Sequence, residues 1–171
     1  ELSQGAVVEH IITQAEKAHS GDLFEDVFLT APTGAGKSLL FQLPAIFIAD
    51  NKKMNAVTIV VSPLKALMTD QVNAMKRDRN YQNVEFLNSD LSINERKKIL
   101  ERVVVGEISI LYMAPELLLA SDLKTFIGER ELGLLVIDEA HLVTTWGRDF
   151  RVDYWFLGDF IRNLRRSSQT T

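Results

Sequence analysis

The sequence predicts an α/β domain with a mainly parallel sheet and helices on both faces. Short apolar runs rich in β-branched residues are near-continuous rather than alternating, which is typical of strands buried on both faces. Helical segments separate these runs, so consecutive strands need crossover connections. A chain of 171 residues with 46% hydrophobic content is long enough for one well-buried domain and short for two. The predicted strands are Val27–Leu29, Val57–Val61, Val84–Leu87, Ile108–Met113 and Leu134–Ile137.

Helix signals fill the intervals between the predicted strands. Ser62 and Pro63 place an N-cap and a first-turn proline before a segment with apolar residues at helical spacing. Ser92 and Glu95 have the spacing of a capping box, and Gly106 is placed to end the helix that follows. These signals support the alternation of strand and helix.

Composition excludes several classes of protein. The absence of cysteine excludes a disulfide scaffold, a thiolate zinc site and a cysteine nucleophile, and it fits an intracellular location, either cytoplasm and nucleoid or nucleus. The longest apolar stretch, Leu39 to Ala49, is far shorter than the ~20 residues of a membrane span, so no membrane partner is expected. A net charge of −4 offers no general basic surface, so any contact with nucleic acid must be local.

The strongest motif is Ala31-Pro-Thr-Gly-Ala-Gly-Lys-Ser38, which lies between a predicted strand and an apolar helical segment. This order is the layout of a phosphate-binding loop. Gly34 and Gly36 would let backbone N–H groups approach a polyphosphate. Lys37 would reach the β and γ oxygens, and the Ser38 hydroxyl would bind Mg²⁺. The alternative is an ordinary glycine-rich turn with a surface lysine.

The helix after this loop contains Pro44, which is expected to kink or divide it.

A second segment, Leu134-Leu-Val-Ile-Asp-Glu-Ala-His141, supplies the metal partner that a phosphate loop needs. Asp138 follows a buried strand, where α/β sheets bind ligands, and would hold Mg²⁺ together with Ser38. Glu139 could polarise the attacking water as a general base. The alternative for this acidic pair is helix-start charge, which becomes less attractive once a phosphate loop lies upstream. His141 taken alone is more often a packing or capping residue.

The other motifs in the sequence separate three classes of phosphate-loop protein: GTPases, small-molecule kinases and ATPases. Guanine specificity is unsupported, because the Asn51-Lys52 pair is followed by Lys53-Met54 rather than by the guanine-reading pattern. A small-molecule kinase would not need a glutamate beside the metal-binding aspartate. An ATPase that uses water and Mg²⁺ fits best, with Lys37 and Glu139 as catalytic residues. The loop residues expected to bind ATP are Thr33, Gly34, Ala35, Gly36, Lys37 and Ser38.

Further segments carry matching motifs: Phe41-Gln-Leu-Pro-Ala45, Val61-Ser-Pro-Leu-Lys-Ala-Leu-Met-Thr-Asp-Gln-Val72, Tyr112-Met-Ala-Pro-Glu-Leu117 and Asp138-Glu-Ala-His141. With the phosphate loop, they resemble motifs I, Ia, Ib and II in the first RecA-like motor domain of superfamily 2 helicases, and within them the RecQ family. The resemblance implies a RecA-like P-loop NTPase fold. It also implies ATP hydrolysis coupled to 3′ to 5′ movement on single-stranded DNA. Ser62 and Pro63 would contact the DNA backbone, and His141 would couple the two activities.

The segment Trp146-Gly-Arg-Asp-Phe-Arg151 is similar to the aromatic-rich loop with which RecQ helicases sense DNA. Trp146 and Phe150 could stack on unpaired bases at ~1–3 kcal/mol per base. Arg148 and Arg151 could meet phosphates. Core packing of both aromatic rings is the alternative.

The chain departs from the RecQ pattern at several positions. Leu142-Val-Thr-Thr145 replaces the usual Cys-Ile-Ser-Gln, Arg148 stands where His is common, and Val152 stands where Pro is usual. Gln4 is the candidate for reading adenine, although Gln14 fits the spacing to the phosphate loop better.

The resemblance places residues 1–171 in the N-terminal portion of a helicase ATP-binding domain. Motif III and a second motor domain with its arginine finger are not recognised in these residues, so we expect the isolated chain to have negligible DNA-stimulated ATPase activity. Single-stranded or forked DNA would be the partner of the full-length protein. The alternatives are an RNA helicase or translocase of the same superfamily, and a nucleotide-gated binding module without unwinding activity.

Overall fold

The computed structural model of the chain describes residues 3–32, 34–51, 53–140 and 148–168. Seven helices and four strands lie in this part of the chain. In chain order they are α1 (Gln4–His19), α2 (Lys37–Asp50), β1 (Ala56–Val61), α3 (Lys65–Asp78), β2 (Val84–Leu87), α4 (Ile93–Val104), β3 (Ile110–Met113), α5 (Pro115–Leu119), α6 (Leu123–Ile127), β4 (Glu131–Ile137) and α7 (Arg148–Ser168).

The four strands form one parallel sheet in the order β2-β3-β1-β4. Helices connect each strand to the next, as a parallel sheet requires. All six residues of the central strand β1 are buried, whereas the residues of β4 are only partly buried beyond its exposed first residue. The predicted α/β fold with a parallel sheet is therefore confirmed.

Helices cover both faces of the sheet. On one face, α2 and α3 pack through Ala45, Met68 and Val72 against Val60 and Ile110. On the other face, α4 to α7 enclose the alternate residues of the same strands. The buried members of that second cluster include Val57, Ile59, Val61, Leu111, Val103, Leu118, Phe126 and Leu157. Because successive strand side chains point to opposite faces, near-continuous apolar runs are what two covered faces require.

Helix α2 runs antiparallel to the strands, and the missing side chain of Gly133 lets it approach the sheet closely. The register skips Gly133, since Val57 pairs with Leu132 and Thr58 pairs with Leu134. A Cβ atom on Gly133 would lie 2.8 Å from Ile48 Cγ2 and 2.9 Å from Ala56 Cβ. The C-terminal end of α2 therefore lies at the start of β1 and β4, and its N-terminal end lies towards their carboxyl ends.

The strand predicted at Val27–Leu29 is wrong. Residues 22–32 form neither helix nor strand, and Phe28 and Leu29 are 83% and 38% exposed. A strand needs a hydrogen-bonded neighbour, and no described strand pairs with this apolar run. The segment is held instead by Arg165 of α7, which pairs with Asp26 at 3.1 Å and lies 5.1 Å from the centre of the Phe24 ring.

Two helix predictions also need correction, and one is confirmed. Helix α3 begins at Lys65 after an N-cap at Leu64, so Ser62 does not cap it. Helix α2 continues through Pro44 and is not divided there, and a kink at this proline stays a prediction. The capping box before α4 is present: the Glu95 carboxylate accepts from the Ser92 N–H at 2.8 Å, and the Glu95 N–H donates to the Ser92 hydroxyl at 3.3 Å.

Candidate nucleotide-binding site

Two of the candidate site residues, Asp138 and Ser62, lie at the carboxyl edge of the parallel sheet. Strands β1 and β4 end side by side, and the Asp138 N–H donates to the Val61 carbonyl at 2.9 Å. The Ser62 N–H likewise donates to the Met113 carbonyl at 3.0 Å, which joins the ends of β1 and β3. The segments after these strands are therefore neighbours, as expected where α/β sheets bind ligands.

The phosphate loop has the backbone form that its glycines predict. Gly34 and Gly36 have φ values of 83° and 76°, in the left-handed region where an L side chain would be strained. Gly36 is the N-cap of α2 and offers no side-chain cap, and the first turn contains no acidic residue. The first N–H groups of α2 therefore lack a side-chain cap, and with the helix dipole they favour an anion. Thr33 lies outside the described residues.

Lys37 and Ser38 begin α2 directly after this loop. The Lys37 ammonium group donates to the Ala31 carbonyl at 2.8 Å and to the Pro32 carbonyl at 3.5 Å, so it lies over the loop. The Ser38 hydroxyl accepts a hydrogen bond from the Gln71 amide at 2.9 Å. Both side chains therefore lie at the uncapped end of α2.

The structure places the two candidates for reading adenine in different surroundings. The Gln4 amide donates to the Ala35 carbonyl at 3.1 Å and so lies against the phosphate loop. The Gln14 side chain is 7% exposed and accepts from the Glu25 N–H at 2.9 Å, which holds the segment after α1. This arrangement favours Gln4 over Gln14, and the adenine contact itself stays a prediction.

Asp138 and Glu139 follow β4 at a sharp turn. Glu139 has a φ of 52°, which is uncommon for a residue with a side chain, and its N–H donates to the Asp138 carboxylate at 2.9 Å. Strained backbone of this kind is found often at functional sites. Burial raises the pKa of Tyr112 to about 12, the hydrogen bond from Gln42 lowers it, and the Asp138 charge adds to the increase. Helix α2 contacts the same Tyr112 hydroxyl through the Gln42 amide, which donates to it at 2.8 Å.

The oxygen groups of this site suit Mg²⁺. The Ser38 hydroxyl and the Asp138 carboxylate are hard donors, and Mg²⁺ is usually held by one or two such groups together with substrate phosphates and water. Within the described ranges, no group of three or more His, Cys, Asp or Glu residues could hold a metal by itself. The uncapped helix end and these two oxygens fit a nucleotide with its Mg²⁺ better than a metal bound by protein alone.

The predicted DNA contacts are placed only in part. Ser62 is 1% exposed and its hydroxyl has no hydrogen-bond partner in the described part of the chain, whereas Pro63 is partly exposed. His141 and Trp146 lie outside the described residues. The backbone of residues 148–151 forms the first turn of α7, and this turn includes the predicted contacts Arg148, Phe150 and Arg151. All these DNA contacts stay predictions.

Three residues of the site were missed as functional candidates: Gln42, Gln71 and Tyr112. All three join the hydrogen-bond network that reaches Ser38. The available signal was a polar residue on an apolar helix face, since Gln42 lies in the strongly apolar α2 and is 1% exposed. A buried amide of this kind needs a partner, which the sequence alone does not name.

Comparison with known proteins decides the family. A sequence model of the family described as "DEAD/DEAH box helicase" matches residues 4–169. The chain belongs to this family. A DEAD/DEAH box helicase domain is a RecA-like α/β fold, in agreement with the parallel sheet described above.

Relatives confirm the RecQ resemblance of this DEAD/DEAH box helicase domain. ATP-dependent DNA helicase Q5 of Mus musculus is 43% identical over 140 residues, covering 78% of this chain and 13% of that protein. ATP-dependent DNA helicase RecQ of Synechocystis sp. is 39% identical over 145 residues, covering 82% of this chain and 28% of the relative. ATP-dependent DNA helicase RecQ of Haemophilus influenzae is 33% identical over 134 residues, covering 78% of this chain and 20% of the relative. The chain thus spans a small part of the length of these relatives.

No helix in the described part of this helicase domain has the length and apolar character needed to cross a membrane.

Proposed function

We propose that this chain is the ATP-binding, N-terminal portion of the first motor domain of a RecQ-like, ATP-dependent DNA helicase. In the full-length protein, ATP hydrolysis would drive 3′ to 5′ movement along single-stranded DNA and separate the strands of forked DNA inside the cell. The observation that carries this proposal is the form of two elements. The phosphate loop leads into the uncapped helix α2, whose N-terminal end lies towards the sheet edge at which β4 is followed by the Asp138–Glu139 turn.

The nucleotide would be held by the loop and by the first turn of α2. The N–H groups of Gly34, Gly36, Lys37 and Ser38 would bind phosphate oxygens, because neither a capping side chain nor an acidic residue occupies the start of α2. The Ala35 N–H donates to the Pro32 carbonyl at 3.2 Å. Lys37 would exchange its loop carbonyls for the β and γ oxygens. The Ser38 hydroxyl and the Asp138 carboxylate would hold Mg²⁺. When bound, Mg²⁺·ATP supplies the scissile phosphoanhydride and the neutralising charge.

Glu139 is assigned as the general base. Its carboxylate would accept a proton from the attacking water, and the strained turn would set its position one residue beyond the metal-binding Asp138. Two adjacent carboxylates thereby take different roles. The remaining assignments, DNA contact at Ser62, Pro63 and the 146–151 segment and coupling by His141, rest on the resemblance to RecQ helicases.

The test uses the full-length protein with single-stranded DNA and a forked duplex. Lys37→Ala should weaken nucleotide binding and abolish unwinding. Glu139→Gln should bind ATP normally and hydrolyse it about 10²–10⁴-fold more slowly, since that is the usual contribution of a general base. Matched controls are Lys124→Ala and Glu129→Gln, which change side chains that are 74% and 92% exposed. Equal turnover by Glu139→Gln and wild type would contradict the assignment of the base.

Substrate class is decided in the same experiment. Stimulation of wild-type ATPase activity by single-stranded DNA well above that by RNA of the same sequence is expected. Stronger stimulation by RNA would identify an RNA helicase of the same superfamily. ATP-dependent DNA binding without unwinding would identify a nucleotide-gated binding module instead.

A further inference from the structure

We propose that Gln71 is a positioning residue for the Ser38 hydroxyl, and that hydrogen bonds through Gln42 and Tyr112 hold the Gln71 side chain in place. This inference rests on the proposed ATP·Mg²⁺ site and adds residues to it that lie outside the phosphate loop. It follows from one continuous set of hydrogen bonds that crosses from α3 through α2 to β3.

The first link is the contact with Ser38 itself. The Gln71 Nε2 atom donates to the Ser38 Oγ atom at 2.9 Å, although the two residues are 33 positions apart in the chain. Gln71 lies within α3, outside the loop that would cradle phosphates. The oxygen that would bind Mg²⁺ is therefore oriented by a different element from the one that carries it.

The second link fixes the Gln71 amide. The Gln42 Nε2 atom donates to the Gln71 Oε1 atom at 2.7 Å and to the Tyr112 hydroxyl at 2.8 Å. A primary amide has two N–H donors, so this nitrogen uses both of them. Gln42 and Tyr112 are 1% and 0% exposed, which keeps water from competing for these bonds.

The hydrogen-bond chain can run in either direction. It has a hydroxyl at each end and two amides between them, and hydroxyl groups donate or accept as their partner requires. Turning both amides over would make Tyr112 donate to Gln42 and make Ser38 donate to Gln71. A Ser38 oxygen that gives a lone pair to a cation can still donate its hydroxyl proton, so the reversed direction suits a Ser38 with Mg²⁺ bound.

The chain also connects Ser38 with the predicted DNA side of the domain. Helix α3 begins three residues after Ser62, and its buried face is held by Met68, Val72 and Met75. Tyr112 lies one residue before the end of β3. A change at Ser38 would thus act on the two segments that resemble motifs Ia and Ib.

The experiment measures equilibrium binding of a non-hydrolysable ATP analogue to the full-length protein as Mg²⁺ is titrated. Gln71→Leu removes both hydrogen bonds and keeps a similar volume, and Gln71 is only partly buried, so the helix can tolerate it. We expect this variant to need about tenfold more Mg²⁺ for half-maximal binding, as is common when the partner of a metal ligand is lost. Its affinity for the analogue without Mg²⁺ should be unchanged.

A conservative variant and a control complete the design. Gln71→Glu keeps an acceptor for both Gln42 and the Ser38 hydroxyl, so its Mg²⁺ requirement should stay at or below the wild-type value. Gln82→Leu removes an exposed glutamine whose amide donates to the Lys76 carbonyl at 3.2 Å, and it should match wild type. If Gln71→Leu fails to fold in thermal unfolding, Gln71→Asn replaces it, since a side chain one methylene shorter cannot reach Ser38.

The outcomes separate this inference from the proposed function. A wild-type protein that binds the analogue without any dependence on Mg²⁺ would overturn the proposed site. A normal wild type with an unchanged Mg²⁺ requirement in the Gln71 variants would overturn the positioning role alone. Equal losses of affinity with and without Mg²⁺ would also overturn it, because a general disturbance of the loop has that signature.

Discussion

Gly133→Ala tests the close packing that positions helix α2. The new Cβ atom would meet Ile48 Cγ2 at 2.8 Å and Ala56 Cβ at 2.9 Å, whereas carbon atoms attract best at about 3.5–4.0 Å. Each contact is therefore short by roughly 0.6 Å or more. Ile48 and Ala56 are 1% and 2% exposed and pack with Ala15 and Met54, so neither can move into open space.

The expected cost follows from two opposing effects. Overpacking a filled core costs about 1–3 kcal/mol, and replacing glycine recovers about 0.5–1 kcal/mol of backbone entropy. Gly133 does not have a positive φ, so alanine adds no backbone strain of that kind. We expect Gly133→Ala to lower the free energy of unfolding by about 1–2 kcal/mol, which in a domain of this size shifts the Tm down by roughly 2–8 °C.

The assay is thermal unfolding followed by circular dichroism, with Gly158→Ala as the matched control. Gly158 lies within α7, and no heavy atom lies within 4 Å of its added Cβ, so alanine there should raise stability by about 0.5–1 kcal/mol. A Gly133→Ala protein as stable as wild type would refute the argument, since the 2.8 Å contact would then be absent in solution.

Two further predictions concern stability. Burial raises the pKa of Tyr112 from an ordinary 10 to about 12 in the folded protein. The neutral hydroxyl therefore contributes fully to the free energy of unfolding below pH 10, and this contribution is lost as the pH rises towards 12. Urea unfolding should therefore show a smaller loss of stability between pH 9 and 11 in Tyr112→Phe than in wild type, and equal losses would contradict the assignment. Arg130→Lys should lower the free energy of unfolding by about 2–3 kcal/mol. Two nitrogens of the planar guanidinium donate to the Val103, Ile108 and Ala56 carbonyls at 2.8, 2.7 and 2.9 Å, and the single nitrogen of lysine does not reproduce this fork. The control Arg77→Lys changes a side chain that is 77% exposed and should leave the free energy of unfolding unchanged. An equally small effect at Arg130 would contradict the prediction.

Local signals predicted the elements that depend on nearby residues. The capping box at Ser92 and Glu95 forms because both partners lie within one helical turn. The phosphate loop has its left-handed Gly34 and Gly36 because glycine adopts that backbone without strain. Fold class also followed, since near-continuous apolar runs require cover on both faces of the sheet.

Predictions failed where an element depends on a distant partner. Val27–Leu29 has the composition of a strand, yet its backbone pairs with none of the described strands. Ser62 looked like an N-cap beside a proline, yet its N–H pairs with Met113 at the sheet edge and the helix begins three residues later. Tertiary contacts overrode local preference in both cases.

Local sequence encodes which chemical groups are present and in what local form: a glycine loop that can receive phosphate, a hydroxyl beside it, and a strand followed by two carboxylates. Which distant side chains meet these groups depends on how the helices pack on the sheet. This packing places Gln4 rather than Gln14 at the loop, and Gln71 on the Ser38 hydroxyl. The physical reason is that a hydrogen bond between residues 33 positions apart depends on how helices pack on the sheet, and no local periodicity encodes that distance.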